Sequence, residues 1–168
     1  VRLARSLPDA SRELARVLLE LAELRAVVGP RSSEPAFQDE DPIFTEALRV
    51  AERVGDFDGI ARLAIARLDA RGPNVRVRGV LVKALRQAGD LPAASAAARA
   101  FAEESATRWT SSVAWMTAAA AGDERTRGRA LAAVAPACGS QVVATVSAVA
   151  AEVLAEVGET DAARRAAE

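Results

Sequence analysis

The sequence predicts an all-α fold, a helical-repeat solenoid of antiparallel helix pairs behind an N-terminal capping helix, and three observations carry the prediction. A Gly-Asp pair recurs at Gly55-Asp56, Gly89-Asp90 and Gly122-Asp123, with a degenerate fourth copy at Gly158-Glu159. The intervals of 34, 33 and 36 residues fall in the range of stacked helical repeats. Hydrophobic residues make up 51% of the chain and aromatics only 4%, so the core must be built from Ala, Val and Leu. Alanine is the best helix former, and its small side chain lets helix axes approach closely. Finally, apolar residues flank each Gly-Asp at helical spacing.

The first element expected is a helix of about twenty residues within 1–30, opened near Pro8-Asp9 and stopped by Gly29-Pro30. Leu14, Val17, Leu18, Leu21, Leu24 and Val28 form one apolar stripe along it. It reads as a cap on the first repeat, with a homodimer contact as the second reading. The segment 31–41, within "RSSEPAFQDEDP", is rich in Ser, Pro and acid and reads as a loop or linker, open to phosphorylation or docking.

The repeat array is expected over 42–168, about three and a half to four units. Ile43, Phe44, Ala47, Leu48, Ala51 and Val54 precede the first Gly-Asp, and Ile60, Leu63, Ala64 and Leu68 follow it. The second unit carries Val77, Leu81, Ala84 and Leu85, then Ala94, Ala97, Ala98 and Phe101. The third has Val113, Ala114, Trp115 and Ala118, then Ala130, Leu131 and Val134. These spacings predict helix pairs at 42–54 with 57–71, 75–88 with 91–105, and 109–121 with 124–137. A further helix is predicted at 140–157, and "ETDAARRAAE" begins its partner. "ARGPN" at 71–75 is a good turn between units, whereas "ESATR" at 104–108 is a poor one. With no solubilising helix after Glu168, the array reads as part of a longer protein.

Each letter of the break has a physical role. Glycine takes the left-handed conformation that ends a helix at no steric cost. The aspartate beside it accepts hydrogen bonds from the free N–H groups of the next helix and suits that helix's positive end. Pro92 follows Asp90 in the first turn, where a missing N–H costs nothing.

"ALRVAERVGDFDGIARLAIARL", "VLVKALRQAGDLPAASAAARAF" and "AWMTAAAAGDERTRGRALAAV" together resemble the tetratricopeptide repeat (TPR) family over roughly residues 42–168. The resemblance implies a right-handed solenoid whose first helices line a concave groove. The family's usual aromatics are mostly missing, the fourth unit lacks the Asp, and only Pro73 stands near a unit-ending proline. "DARGPNVRVRGVLVKAL" suits the related HEAT-type solenoid, which stands as the alternative.

Composition removes most chemistry. The chain has no histidine and no tyrosine, so the commonest general base and zinc ligand are missing. Asp39-Glu40-Asp41 and the pair Glu152 and Glu156 read as solvated acids, and the Gly-Asp turns lack the Lys of a phosphate loop. No enzyme activity, metal or cofactor is expected. The lone Cys138 forbids an internal disulfide, fits a reducing cytoplasm and reads as a small buried hydrophobe. The stretch from Ala130 to Ala151 carries no charge, but it is poor in Leu, Ile and Phe and is broken by Pro136 and Gly139; it reads as two helices and a turn, with no membrane span.

The groove implied by the resemblance would show Arg76, Val80, Lys83 and Gln87 on one helical face, with Arg86 beside them. The first unit would add Glu46, Arg49, Glu52 and Arg53, and the third Trp109, Ser112, Val113 and Met116. Between Ile60 and Ala88 seven basic residues face Asp69 alone. A cationic strip beside Trp109 and Met116 suits an acidic peptide with an apolar anchor. The competing reading makes that strip a solvated face and places Trp109 and Met116 in the core.

The first functional reading is therefore a protein–protein interaction scaffold in a bacterial cytoplasm, the bacterial source inferred from the Ala, Arg and Val bias. The second is the sensor or regulatory arm of a larger signalling or transcription-regulator protein. The third, nucleic-acid binding by segment 60–88, has the net charge of −1 against it.

Overall fold

The computed structural model describes residues 2–28, 41–138 and 140–168. Nine α-helices lie among the described residues, and no strand does. They are α1 (Arg2–Val28), α2 (Pro42–Val54), α3 (Phe57–Arg71), α4 (Val75–Ala88), α5 (Leu91–Glu104), α6 (Arg108–Ala121), α7 (Glu124–Val134), α8 (Ser140–Glu156) and α9 (Thr160–Ala167). The expected loop at 31–41 falls outside the described residues except for Asp41, as do the breaks at Gly29-Pro30 and Gly139 and the acids Asp39 and Glu40.

The boundaries follow the capping chemistry. Gly55, Gly89, Gly122 and Gly158 all have φ between 69° and 84°, the left-handed region where a Cβ would be strained. Asp56, Asp90 and Asp123 each accept a hydrogen bond from the main-chain N–H three residues on, at 2.9, 3.1 and 3.0 Å. Glu159 makes no such cap. Its carboxylate instead pairs with Arg129 at 2.8 Å and Arg125 at 3.2 Å, fastening the start of α9 to α7.

Sequence and structure differ at four places. Helix α1 begins at Arg2 and passes through Pro8, whose missing N–H leaves one main-chain hydrogen bond of the helix unmade. Its buried residues are Ala15, Leu19, Ala22 and Ala26, while Leu14, Val17, Leu21, Leu24 and Val28 stay exposed and Leu18 is half-buried. The expected core stripe is thus the outer one: in a core of alanines the small residues permit the closer approach. Helix α7 stops at Val134, and a single 3-10 turn at Ala135–Ala137 follows, since Pro136 cannot supply the N–H that would prolong the helix. The turn expected to be poor, 105–107, is well built. Thr107 and Thr110 form a capping box, and the Thr110 hydroxyl also bonds the Ser105 carbonyl.

Contacts group the chain into two units, Val1–Ala88 and Gly89–Glu168, dividing it inside the second predicted helix pair. In the first unit α1 packs on α2 and α3, and α3 on α4. Ala15, Leu19, Ala22 and Ala26 meet a core of Phe44, Ala47, Val50, Ala51, Ile60, Leu63 and Ala64, and α4 adds Val77, Leu81 and Val82. Gly59 makes the α1–α3 approach feasible, because a Cβ there would lie 2.6 Å from Leu19 Cδ1. The buried Arg67 lays its guanidinium over the Phe44 ring, 4.5 Å from the centroid, and so joins α3 to α2.

In the second unit α5 packs on α6, α6 on α7, α7 on α8 and α8 on α9. Ala94, Ala98, Phe101, Ala114, Ala118, Leu131, Ala150 and Leu154 fill its interior. The buried Ser95 hydroxyl donates to Asp123 at 2.8 Å, tying α5 to the α6–α7 turn. Burial works against the charge on Asp123, yet its carboxyl is held below the usual carboxylate range. Hydrogen bonds from the main chain and hydroxyl of Thr126 and from Ser95 outweigh the burial, with help from the positive charge of Arg99.

Gly128→Ala places a Cβ 2.8 Å from Leu154 Cγ. It should destabilise the chain by about 1–3 kcal/mol in urea melts, even though alanine is the better helix former.

Because the folded pKa of Asp123 is lowered, its stabilising effect is complete above the unfolded value near 4 and is lost as pH falls through the lower folded value. Asp123→Asn should therefore flatten the loss of stability below about pH 4, measured by denaturant melts at stepped pH.

Candidate binding cleft in the first unit

Helices α1 and α2 splay around a cleft of about 460 Å³. The face of α2 that carries Glu46, Arg49, Val50, Arg53 and Val54 forms one side, and Ser11, Arg12 and Leu14 of α1 form the other. Asp41 fixes where α2 begins: its carboxylate accepts from the Ile43 N–H at 3.0 Å, and Pro42 occupies the first turn. Gly55 fixes where α2 ends, so the spacing of 46, 49, 50, 53 and 54 puts those residues on one face.

The cleft has an apolar floor and a cationic rim. Val50 is buried and Val54 half-buried, with Leu14 exposed across from them. Arg49 donates through Nε to Glu46 Oε2 at 2.7 Å and through a second nitrogen to Oε1. The hydrogen bond from Arg49 holds the Glu46 carboxyl below its usual range, and the charge of Arg53 adds to the effect. Arg12 and Arg53 make no ion pair among the described residues. With one carboxylate against three guanidiniums the rim favours an anion, and a guanidinium fork suits a carboxylate.

The other sequence-predicted residues stand elsewhere. Arg76, Lys83, Arg86 and Gln87 are all exposed on α4. Lys83 is engaged, its ammonium 2.7 Å from Glu52 of α2, and Val80 is half-buried. In the second unit Trp109 is 58% and Met116 47% exposed on α6, so neither is a core residue. The Trp109 indole packs edge-to-face with the Phe101 ring, centroids 5.1 Å apart and planes at 88°. Trp115, expected in the helix's apolar set, is also exposed, and Cys138 is half-buried rather than buried.

Arg12 and Leu14 were missed because α1 reads as a capping helix; their signal is the Arg12-x-Leu14 step, which sets a charge and a large apolar side chain side by side. Glu152 and Glu156 are exposed on α8, and no three His, Cys, Asp or Glu side chains converge among the described residues. No described helix is long and apolar enough to cross a membrane.

Comparison with protein-family models, curated proteins and solved structures finds no match to this chain. The cleft is therefore read on its own chemistry. Glu46→Gln releases Arg49 from its internal carboxylate and should tighten binding of a short Glu-rich peptide about twofold to fivefold, read by fluorescence anisotropy.

Proposed function

We propose that this chain is a TPR-like protein–protein interaction module that takes an acidic segment with an apolar anchor into the α1–α2 cleft. The observation that carries the reading is Arg12 and Arg53, two guanidiniums with no ion pair among the described residues, flanking an apolar lining of Leu14, Val50 and Val54. Carboxylates would replace water on the rim, while one Leu- or Phe-sized side chain would gain burial on the floor. Repeated Gly-Asp turns at a near-constant interval support the solenoid reading. In the second unit Trp109 and Met116 on α6 form an exposed apolar surface of their own.

A library of labelled peptides, each with two or three acidic residues around one Leu or Phe, tests this by anisotropy. Arg12→Ala with Arg53→Ala should weaken the best binder at least about tenfold, equivalent to about 1.4 kcal/mol, and rising salt should weaken it further. The companion variant Arg76→Ala, Lys83→Ala, Arg86→Ala should leave it within about twofold, because those residues lie outside the cleft. An affinity lost only with the α4 variant would move the site to α4. No binding by any acidic peptide would overturn the reading.

A further inference from the structure

We infer that the outer face of α1 is the seam of a parallel two-stranded coiled coil between two copies of this chain. Three properties of the helix converge on that occupant.

The first is period. Leu14, Val17, Leu21, Leu24 and Val28 follow one another at steps of three, four, three and four residues, the 3.5-residue period that a two-stranded seam requires. The sequence carries the same spacing back through Ala10 to Leu7 and Leu3. All five named side chains are exposed, Leu24 by 62%. They centre about 150° around the helix from Ala15, Leu19, Ala22 and Ala26, which face the core. The body of the unit therefore lies behind the seam, out of the way of a second copy.

The second is length. Helix α1 has 27 residues, about 40 Å, against 17 or fewer in every other described helix. A helix of the size used elsewhere in this chain would cover part of the stripe, whereas a second α1 matches it from end to end.

The third is charge. With Leu14, Leu21 and Val28 as the first core position of the heptad and Val17 and Leu24 as the second, Glu13 and Glu20 flank the seam on one side and Arg25 on the other. In a parallel pair Glu20 of one copy faces Arg25 of the other, twice by symmetry. In an antiparallel pair Glu13 would face Glu20, twice, with like charge. Within one chain Glu20 holds an exposed ion pair with Arg16 at 2.9 Å, and Arg25 a looser one with Asp41 at 3.7 Å. The first is weak in water and readily shared, and in the second Arg25 is itself half exposed and only loosely held, so it can turn outward.

Sedimentation equilibrium of the full 168-residue chain over about 1–100 µM should show twice the 17.5 kDa chain mass. Leu21→Glu with Leu24→Glu should return the mass to one chain with unchanged circular dichroism, since both side chains are exposed. Glu20→Arg alone should weaken the dimer about fivefold by setting Arg against Arg, and adding Arg25→Glu should restore it. A wild-type chain that stays monomeric at 100 µM overturns the inference. So does a dimer indifferent to Leu21→Glu with Leu24→Glu, which would place the contact on another face, and so does a dimer tightened by Glu20→Arg, which would make the pair antiparallel. Leu14 borders both the seam and the α1–α2 cleft and is left unchanged in every variant, whereas Leu21, Leu24, Glu20 and Arg25 lie outside the cleft, so failure of the dimer and failure of peptide binding by Arg12 and Arg53 are told apart.

Discussion

The rest of the structure depends on ending one helix and beginning the next within two residues. A left-handed glycine folds the chain back, and the aspartate after it satisfies an N–H that the new helix would otherwise leave open. Neither residue does this alone. Glycine by itself would leave the next helix start uncapped, and aspartate by itself would leave the turn strained. At Asp123 the same carboxylate also receives the Ser95 hydroxyl, so a local cap becomes a tertiary contact. At Glu159 the longer side chain cannot close the cap and instead reaches Arg125 and Arg129, so fastening to the neighbouring helix replaces the cap's hydrogen bond.

Turns this tight constrain what can lie between the helices. The interiors are filled by alanine and a few Leu, Val and Phe residues, and at Gly59 and Gly128 even a methyl group would collide with a leucine of the facing helix. Larger side chains are correspondingly displaced to the surface. Leu21 and Leu24 of α1 and Trp109 and Met116 of α6 are exposed in a chain with few residues of that size to spare. Exposed apolar residues grouped on one helix face, rather than scattered, mark surfaces suited to partners.

Electrostatics separates these surfaces in kind. In the α1–α2 cleft Arg49 is held by Glu46, while Arg12 and Arg53 make no ion pair among the described residues. Lys83, the only lysine, is committed to Glu52 and braces α4 against α2. On the outer face of α1, Glu13, Glu20 and Arg25 border the exposed apolar stripe rather than interrupt it.

Much of this was legible in the letters, because helix ends are local events. Gly-Asp signals a left-handed stop and a capped start wherever it stands, and six of the seven helices from α2 to α8 begin and end within about a residue of where those signals and the apolar spacing place them; α7, cut short by Pro136, is the exception. Arg49 and Arg53 could likewise be placed on a common helical face from spacing alone. What spacing cannot say is which of two faces turns inward. On α1 the leucine stripe is the more hydrophobic pattern, yet the alanine face is buried, because α2 and α3 gain more contact by approaching closely than by accommodating leucines. The same limit hid Arg12 and Leu14, which line a cleft only because α2 lies beside them, and the commitment of Lys83 to a glutamate 31 positions away. The sequence by itself determined where helices start and stop, since that chemistry spans a few bonds. Tertiary structure alone decided which faces meet and which charges remain free, since those depend on groups far apart along the chain.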